Sequence, residues 1–579
     1  MRYHALATDY DGTLAHHGAV DAQTVDNLKK FLASGRRLIM VTGRELPELK
    51  TVCPDLDLFE WVVAENGGLL YCPATREERP LAEAPKPEFV EALKKRGVER
   101  ISVGRVIVAT WEPHQQTCLE VIHDMGLELQ VIFNKGAVMI LPANVNKASG
   151  LKAALKVMNL SPHNVVAVGD AENDHALLRM CEVSAAVANA LPSVKDTADI
   201  VTTEDHGKGV SQLITGMLRN DLTDVDKRLT RHYLAVGKSG DDEIRLPPYT
   251  NAVLICGPSA SGKSTVATRI VESLIEQRYQ FCLIDPEGDY EKFEGAVVFG
   301  GPQSPPPREE VLRLLDNAMS NAVVCMTGMK IADRPPFFLG LMSELLQRRS
   351  NSGHPHWIVL DEAHHLMPAD WKPTESVLPE RLHNTLLITV HPELLPPAVL
   401  ERVGVILAVG GNARETVTRF AEAVGDAPPV IREVPEKSGE LLMWRRGEGN
   451  VPTVVKAYPS KTERHRHRRK YVEGELSKER SFYFTGPAGT MNLRAQNIMV
   501  FLQLAEGIDD ETWMFHLRRG DYSKWFAGSI KDEAMASAIH EIEQTNDAMP
   551  SDTRAAIRAA IERDYTLPAS VPMPVKEAQ

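Results

Sequence analysis

The sequence predicts an α/β protein of several domains, and three observations carry this prediction. The chain has 579 residues, which exceeds what one hydrophobic core supports and predicts roughly three or four domains. Short apolar runs alternate with helix-period segments through residues 1–220, a pattern typical of a parallel sheet covered by helices. The composition is that of a globular protein, with 43% hydrophobic and 25% charged residues, so we expect this pattern to describe folded structure.

Charge, cysteine usage and hydropathy limit the class of protein. The net charge of −13 favours solubility and argues against a protein that coats nucleic acid. The seven cysteines are scattered without a C-x-x-C pair, which predicts a reducing cytoplasm and argues against a structural zinc site. No apolar run reaches the length of a membrane span, and the N-terminus opens directly into a strand pattern. We therefore expect a cytoplasmic protein without a membrane partner.

Polar residues follow several of the predicted strands in residues 1–220. An apolar run at 3–7 is followed by six more, at 38–41, 61–64, 106–109, 138–141, 165–168 and 200–202. Ligands of parallel sheets bind at the carboxyl ends of the strands, so the residues that come next carry the functional information. Those residues are Asp9 and Asp11, then Thr42, Gly43 and Arg44, then Lys147 at the start of a helix, then Asp170, Asn173 and Asp174.

These residue types suit the cleavage of a phosphate ester. Asp9 and Asp11 leave a strand two residues apart, so their side chains point the same way, and Gly12 permits a sharp turn. One carboxylate can attack phosphorus while the other transfers a proton. Hydroxyl and ammonium groups bind phosphate oxygens, and further carboxylates hold Mg²⁺. The combination predicts a Mg²⁺-dependent phosphatase site.

Five motifs give residues 1–215 a specific resemblance. They are DYDGTL at 9–14, VTGR at 41–44, ENGG at 65–68, the stretch around Lys147, and GDAEND at 169–174. With them this part resembles the haloacid-dehalogenase (HAD) phosphatase superfamily, in its Cof and sucrose-phosphate-phosphatase branch. The run at 185–213 follows the same branch. The resemblance implies a Rossmann-like core at 1–69 and 146–220, with an inserted α+β cap at 70–145 that selects the substrate.

The resemblance also implies roles for individual residues. Asp9 is expected to form an aspartyl-phosphate, Asp11 to act as general acid/base, and Thr42 and Lys147 to bind the phosphate. The residues expected to hold or support Mg²⁺ are Asp9, Asp11 through its backbone carbonyl, Asp170 and Asp174. The residues expected beside the substrate are Gly43, Arg44, Asn66 and Asn173. The expected substrate is a small phosphorylated metabolite, with sugar phosphates among the candidates.

A second α/β domain is predicted at 251–458, after a polar linker at 221–250 that contains a small strand. The strand 253–256 is followed by G-x-x-x-x-G-K-S and then by a helix, which is the context of a phosphate-binding loop. Lys263 would reach the β- and γ-phosphates and Ser264 would coordinate Mg²⁺. The residues predicted to bind ATP here are Gly257, Pro258, Ser259, Ala260, Ser261, Gly262, Lys263, Ser264 and Thr265.

An acidic pair completes the predicted ATP site. Asp361 and Glu362 follow the apolar run 357–360, where Asp361 would hold Mg²⁺ through water and Glu362 would polarise the attacking water. The stretches LIDPEGDY at 283–290 and VLDEAHHL at 359–366 resemble the HerA/FtsK-like ATPases. In that family ATP sites lie between subunits of a ring, so the resemblance allows a homo-oligomer. A binding module that senses nucleotide without turnover is a further alternative.

The C-terminal part is predicted to be a basic hinge at 459–480 and a small, mainly helical module at 481–579, with a disordered tail. The basic run 461–470 has two interpretations, a nucleic-acid contact and a solvated linker. The whole chain is therefore predicted to be a phosphomonoester hydrolase coupled to an ATP-hydrolysing domain. The alternative is a nucleic-acid end-processing, motor or defence protein, since a HAD phosphatase joined to a phosphate-binding loop also resembles polynucleotide kinase-phosphatases.

Overall fold

The computed structural model describes residues 1–258, 261–369, 379–461, 476, 480–487, 489, 491–530, 532–545 and 549–564. The chain divides into two compact units, Met1–Pro459 and Ser460–Gln579. In the described part, the first unit contains sheets of eight, four and eleven strands, and the second contains a two-stranded sheet with helices. Among the described residues, no helix combines the length and the apolar character that a membrane crossing needs.

The first sheet and its insertion occupy residues 5–201. In chain order the strands are β1 (Ala5–Thr8), β2 (Arg37–Val41), β3 (Trp61–Ala64), β4 (Leu69–Cys72), β5 (Glu77–Pro80), β6 (Ser102–Val103), β7 (Val108–Trp111), β8 (Leu129–Asn134), β9 (Ala137–Pro142), β10 (Val165–Gly169), β11 (Val183–Ala186) and β12 (Ile200–Val201). The eight-stranded order is β12-β11-β10-β1-β2-β3-β4-β5, parallel from β12 to β3 and antiparallel beyond. Every residue of β1, β3, β10 and β11 is buried, as expected for a sheet covered on both faces.

Eight helices accompany these strands in the described chain. They are α1 (Ala22–Ala33), α2 (Leu46–Val52), α3 (Pro87–Lys95), α4 (Gln115–Asp124), α5 (Lys147–Met158), α6 (His175–Met180), α7 (Pro192–Thr197) and α8 (His206–Asn220). Side-chain caps fix two of their starts. The Asp21 carboxylate accepts from the Thr24 backbone N–H before α1, and the Asn146 amide oxygen accepts from the Ser149 N–H before α5. The second cap places Lys147 at the first turn of α5.

The inserted cap is smaller than the sequence predicts. All of β5 and all but the first residue of β4 lie in the range predicted as cap, yet both strands extend the first sheet because residues 65–68 turn the chain back antiparallel to β3. The cap sheet itself is antiparallel, in the order β6-β7-β9-β8, and α3 and α4 pack on it. The runs 106–109 and 138–141 therefore belong to the cap and not to the parallel sheet. Consequently Lys147 comes from a helix start and not from a strand end of that sheet.

The second sheet contains eleven strands. They are β13 (Leu234–Ser239), β14 (Asp242–Leu246), β15 (Ala252–Cys256), β16 (Phe281–Asp285), β17 (Val297–Phe299), β18 (Ala322–Cys325), β19 (Trp357–Leu360), β20 (Thr385–Thr389), β21 (Val403–Val409), β22 (Glu440–Arg445) and β23 (Thr453–Ala457). Their order is β14-β13-β23-β22-β21-β15-β20-β19-β16-β18-β17, and the strands from β21 to β17 are parallel. The hairpin β13–β14 lies in the segment predicted as a linker and pairs with β23.

Helices cover this second sheet on both faces. They are α9 (Lys263–Glu276), α10 (Arg308–Leu315), α11 (Arg334–Ser352), α12 (Pro397–Leu400) and α13 (Ala413–Ala423). Two separate apolar clusters result, one of which contains Phe338 of α11 and the other Ile270 of α9. A sheet with both faces buried explains why its parallel strands are continuous apolar runs in the sequence.

The second unit is described for part of its length. Its strands are β24 (Phe482–Phe484) and β25 (Leu493–Ala495), and its helices are α14 (Ile498–Gly507), α15 (Asp510–Arg518), α16 (Asp521–Trp525), α17 (Glu533–Glu543) and α18 (Pro550–Asp564). Phe482, Phe484, Phe501 and Trp525 are among the aromatic side chains that fill its core. The predicted basic run from 462 onward and the predicted disordered tail from 565 onward lie outside the described residues.

Candidate active site

The first candidate site lies at the carboxyl edge of the first sheet, where β1 runs between β10 and β2. Asp9 directly follows β1, Thr42 directly follows β2 and Asp170 directly follows β10. All three residues are buried. Because the strands are parallel and neighbouring, their ends bring these residues together although they are up to 161 positions apart in the chain (170 − 9).

Lys147 joins this group from the start of α5. Its Nζ atom lies 2.6 Å from Oδ1 of Asp9 and 2.6 Å from Oδ1 of Asp174, and its side chain is 1% exposed. Burial tends to lower the pKa of Lys147, but the two carboxylates outweigh it and raise that pKa above its ordinary value. The ammonium group is therefore held charged between two acids.

The close approach of α5 depends on two glycines. A Cβ atom on Gly150 would lie 2.7 Å from Cα of Gly67, and one on Gly67 would lie 2.0 Å from the backbone oxygen of Asn146. Neither position has room for a side chain. Gly67 also has φ of +105°, in the region that favours glycine. The ENGG motif thus contributes packing that brings Lys147 to Asp9.

Three buried carboxylates converge beside Lys147. Asp9, Asp170 and Asp174 each offer an oxygen atom, and these atoms lie within 4.8 Å of one another. Oδ2 of Asp174 accepts the backbone N–H groups of Asp170 and Ala171, at 3.0 Å each, so its position is fixed. Burial raises the pKa of Asp9 and of Asp170 above the ordinary value, against the opposing effect of the nearby lysines. Clustered carboxylates of raised pKa fit a divalent, oxygen-binding cation such as Mg²⁺.

The side chain of Asp11 lies apart from this acidic cluster. Arg44 donates to both of its oxygens, Nε to Oδ2 at 2.6 Å and Nη2 to Oδ1 at 2.7 Å. The Asp11 side chain is 36% exposed and the Arg44 side chain 21% exposed. The hydrogen bonds to Asp11 raise the pKa of Arg44. Arg44, predicted beside the substrate, therefore holds the predicted acid/base in a fixed orientation.

The remaining predicted residues occupy the same end of the sheet. The Asn173 amide donates to Oδ1 of Asn66 at 2.9 Å, and both side chains are buried. The Thr42 hydroxyl oxygen accepts the Arg44 backbone N–H at 3.1 Å. A Cβ atom on Gly43 would lie 2.9 Å from Cε of Met139 in β9, so the cap packs directly over this glycine. Gly43 therefore lies at the boundary between core and cap.

Two residues that sequence reasoning missed connect the cap to the core. Lys135, in the turn between β8 and β9, places Nζ 2.6 Å from Oδ2 of Asp170. The Glu65 carboxylate accepts three backbone N–H groups of the cap, from Arg105 at 2.8 Å, Val106 at 2.7 Å and Ile107 at 3.1 Å. The Lys-Gly pair at 135–136 signals a turn, but the sequence does not show where the turn points.

The second candidate site is the loop between β15 and α9. Gly257 has φ of +158° and Gly262 has φ of +102°, and a Cβ atom on Gly257 would lie 2.1 Å from the carbonyl oxygen of Val409. The Lys263 ammonium group donates to the carbonyl oxygens of Gly257 at 2.9 Å and Pro258 at 3.1 Å. Burial lowers the pKa of Lys263, with Glu362 opposing. Ser259 and Ala260 lie outside the described residues, whereas Ser261, Ser264 and Thr265 are described at this loop and helix start.

The acidic pair lies at the end of β19, and one strand, β20, separates β19 from β15. Asp361 is buried, and Glu362 has φ of +39°, which is unusual for a residue with a side chain. The Thr389 hydroxyl at the end of β20 lies 3.2 Å from Nδ1 of His364. Burial lowers the pKa of His364 to about 4, so the ring is neutral near pH 7. The strand ends of the second sheet thus assemble a second polar site.

Comparisons with known proteins concern the first site. A family model described as haloacid dehalogenase-like hydrolase matches residues 6–120 and 106–214. Phosphoglycolate phosphatase 2 of Saccharolobus solfataricus is 31% identical over 221 residues, which are 37% of this chain and 91% of that protein. Phosphoglycolate phosphatase of Methanothermobacter thermautotrophicus is 30% identical over 219 residues, 36% of this chain and 96% of that protein.

Among solved structures, a haloacid dehalogenase-like hydrolase from Bacteroides thetaiotaomicron covers 37% of this chain and 99% of its own, with 18% identity and a TM-score of 0.33. The range matched by the family model contains the first sheet except Ala5, the cap and every residue of the Asp9 site.

Proposed function

The chain belongs, through residues 6–214, to the haloacid dehalogenase-like hydrolase family, and on this premise we propose that it is a Mg²⁺-dependent phosphatase of small phosphorylated acids. The observation that carries the proposal is the Lys147 ammonium group, held between Asp9 and Asp174. A buried cation beside a buried carboxylate at a strand end is the arrangement that a phosphoryl group requires.

In the proposed reaction, an oxygen of Asp9 attacks phosphorus and the bond to the leaving oxygen breaks, giving an aspartyl-phosphate. Lys147 holds Oδ1 of Asp9 and, with the Thr42 hydroxyl, binds the phosphate oxygens. Asp11, oriented by Arg44, donates a proton to the leaving oxygen and then takes one from the water that hydrolyses the intermediate.

The resident cation of this site is proposed to be Mg²⁺, held by Asp9 and Asp170. Asp174, through the backbone N–H groups that it accepts, keeps the loop after β10 in place. When bound, the ion neutralises charge on the phosphate and favours ionised Asp9 despite its burial. The Thr13 hydroxyl, 3.1 Å from Oδ1 of Asp170, orients that carboxylate.

The proposed substrate class follows from a second cation and from the relatives. Lys135 reaches the site from the cap, so a substrate with a second acidic group meets a positive charge on that side. The relatives from Saccharolobus and Methanothermobacter are both named phosphoglycolate phosphatases. We therefore place phosphorylated carboxylic acids such as phosphoglycolate ahead of sugar phosphates.

A substrate panel with matched variants tests this proposal. Wild-type protein with Mg²⁺ is expected to release phosphate from phosphoglycolate faster than from glucose 6-phosphate, and Asp9→Asn to release none. Lys135→Met is expected to raise KM for phosphoglycolate about tenfold, the equivalent of one lost charge-assisted hydrogen bond, and to leave p-nitrophenyl phosphate nearly unaffected. Lys95→Met, on the exposed surface of α3, is the control. Turnover that persists in Asp9→Asn would refute the assigned nucleophile.

We also propose that residues 251–458 bind and hydrolyse ATP. The positive φ angles at Gly257 and Gly262 and the inward position of Lys263 support a phosphate-binding loop. The strand end with Asp361 and Glu362, two strands away from β15, supports hydrolysis rather than sensing alone. Coupling between the two sites, a homo-oligomeric assembly and a cytoplasmic location remain predictions. The nucleic-acid alternative also remains a prediction, and most of the basic run on which it depends lies outside the described residues.

A further inference from the structure

A second buried polar cluster lies at the opposite end of β10 from Asp170. His163 precedes β10, Glu182 precedes β11, and His232 precedes β13 of the second sheet. Nδ1 of His163 lies 2.6 Å from Oε2 of Glu182, and Nε2 of His232 lies 3.9 Å from the same oxygen. Each of the three residues offers one possible ligand atom, and these three atoms lie within 4.8 Å of one another. With β10 between them, this cluster is roughly 20 Å from the Asp9 site.

The hydrogen bonds of His163 require a positive charge at this cluster. Nε2 of His163 lies 2.8 Å from the Gln277 carbonyl oxygen, which only accepts, so Nε2 carries a proton. The other ring nitrogen, Nδ1, faces the Glu182 carboxylate. In a neutral ring, Nδ1 would direct a lone pair at that carboxylate. Either a second proton or a cation must therefore lie between Nδ1 of His163 and Glu182.

His232 distinguishes these two alternatives. Its Nε2 atom is buried and has no hydrogen-bond partner among the described residues. A second proton on His163 would leave this nitrogen unsatisfied, which is costly for a buried polar group. A cation between His163 and Glu182 would instead give Nε2 of His232 a role as third ligand.

We propose that His163, Glu182 and His232 form a site for a divalent transition metal, Zn²⁺ being the expected ion. Two imidazoles and one carboxylate are a ligand set that suits Zn²⁺, and the Mg²⁺-type site at Asp9 offers oxygen alone. Metal bonds of about 2.0–2.2 Å require His232 to move towards Glu182 and His163 to separate slightly from it. The cysteine pattern argued against structural zinc, but these ligands contain no sulfur.

The surroundings of the cluster hold His163 and Glu182 in a buried setting. The Tyr279 hydroxyl donates to the Glu182 carboxylate, at 2.9 Å from Oε2, and its ring stacks on His163 with centroids 3.8 Å apart. Arg2 is the nearest competing cation, 4.0 Å from Oε1 of Glu182, but it is paired with Asp226 and lies over the Tyr249 ring. His163 and Glu182 lie just before strands of the first sheet, and His232 lies just before a strand of the second sheet. A metal bound by all three would therefore link the two sheets.

Metal binding by the full-length chain without an affinity tag tests the proposal. The background is Asp170→Asn, which removes the competing oxygen site. After chelator treatment, this protein is expected to bind one Zn²⁺, and one Co²⁺ with the visible absorption of a four-coordinate nitrogen and oxygen site. Zn²⁺ is also expected to raise its melting temperature, because binding to the folded state stabilises it.

Adding His232→Ala, or the shape-conserving Glu182→Gln, is expected to weaken Co²⁺ binding at least a hundredfold and to abolish the absorption. The matched control is His354→Gln, a buried histidine that is bonded to Gln280 and Asn159 instead of Glu182, and it is expected to retain both. Circular dichroism checks that each variant is folded. If His232→Ala does not fold, the comparison rests on Glu182→Gln. The proposal is overturned if the Asp170→Asn protein binds neither metal, or if the folded variants bind as tightly as their background.

Discussion

Replacing Lys147 with methionine is expected to destabilise the first sheet strongly. Methionine keeps most of the side-chain volume, so the change removes chiefly the ammonium group. That group lies 2.6 Å from a carboxylate oxygen of Asp9 and 2.6 Å from one of Asp174, with 1% of its side chain exposed. Removing one partner of a buried ion pair costs about 3–5 kcal/mol, because the remaining charges have no compensation. We expect a loss of that size without divalent cations.

The loss is expected to depend on pH in a definite direction. Without the ammonium group, burial and the nearby carboxylates hold the folded-state pKa of Asp9 further above the unfolded value of about 3.9. A carboxyl group with a raised folded-state pKa destabilises the fold as pH rises, since ionisation then favours the unfolded state. The deficit of Lys147→Met should therefore be small near pH 4 and should grow towards pH 8. Added Mg²⁺ should recover part of it.

Hydrogen exchange in EDTA measures this effect where it acts. Mass spectrometry of peptides that cover β1 and α5 gives the local free energy of opening, without assuming that the whole chain unfolds in one step. Lys135→Met is the control, because this lysine also contacts a predicted metal ligand but is 48% exposed, so its removal should cost clearly less than the removal of Lys147. A Lys147→Met protein within about 1 kcal/mol of wild type at pH 8 would refute the reasoning.

Three further outcomes are expected. Gly12→Ala should abolish phosphate release in a folded protein, because φ is +84° and the new Cβ would lie 2.4 Å from Oδ2 of Asp170; normal turnover would contradict this. Lys263→Ala should remove ATP hydrolysis and leave hydrolysis of p-nitrophenyl phosphate unchanged, as followed in parallel phosphate assays; equal loss of both would argue against two sites. Burial and the nearby N-terminal charge lower the pKa of His4 to about 4. Because the unfolded chain then binds this proton more readily, the free energy of unfolding should fall by about 2.5 kcal/mol between pH 7 and pH 4.5 through this group. His4→Asn should not show this fall in urea titrations.

The residues that the sequence predicts for the Asp9 site lie together because most of them follow strands, and the role of each residue remains a prediction. Their place at one edge of a parallel sheet comes from a general rule of that architecture, and the motif spacing adds Lys147. The cap is predicted less well, since β4 and β7 are equally apolar in sequence but join different sheets. Only the turn at 65–68 decides which sheet β4 enters.

Contacts of backbone groups, and contacts between turns that are far apart in the chain, could not be predicted from the sequence. The Glu65 carboxylate accepts hydrogen bonds from three backbone N–H groups. The sequence does not single these groups out, because every residue except proline has a backbone N–H group. His163, Glu182 and His232 are separated by 19 and 50 positions (182 − 163 and 232 − 182), and no local motif links them. Their proximity arises from how two sheets meet, which periodicity within either sheet does not encode.

The cap contacts the core unequally at its two ends, through Glu65 and through Lys135, and this difference bears on how the cap opens. The turn between β6 and β7 and the turn between β8 and β9 lie at opposite ends of the cap sheet, because β7 and β9 run antiparallel. One end is held by the fully buried Glu65, which accepts three charge-assisted hydrogen bonds, and at the other end the half-exposed Lys135 forms an ion pair with Asp170. Because the Glu65 contacts are the stronger ones, we expect thermal opening of the cap to pivot on the Glu65 end and to separate the Lys135 end first. We therefore expect small molecules to enter and leave the Asp9 site beside β10.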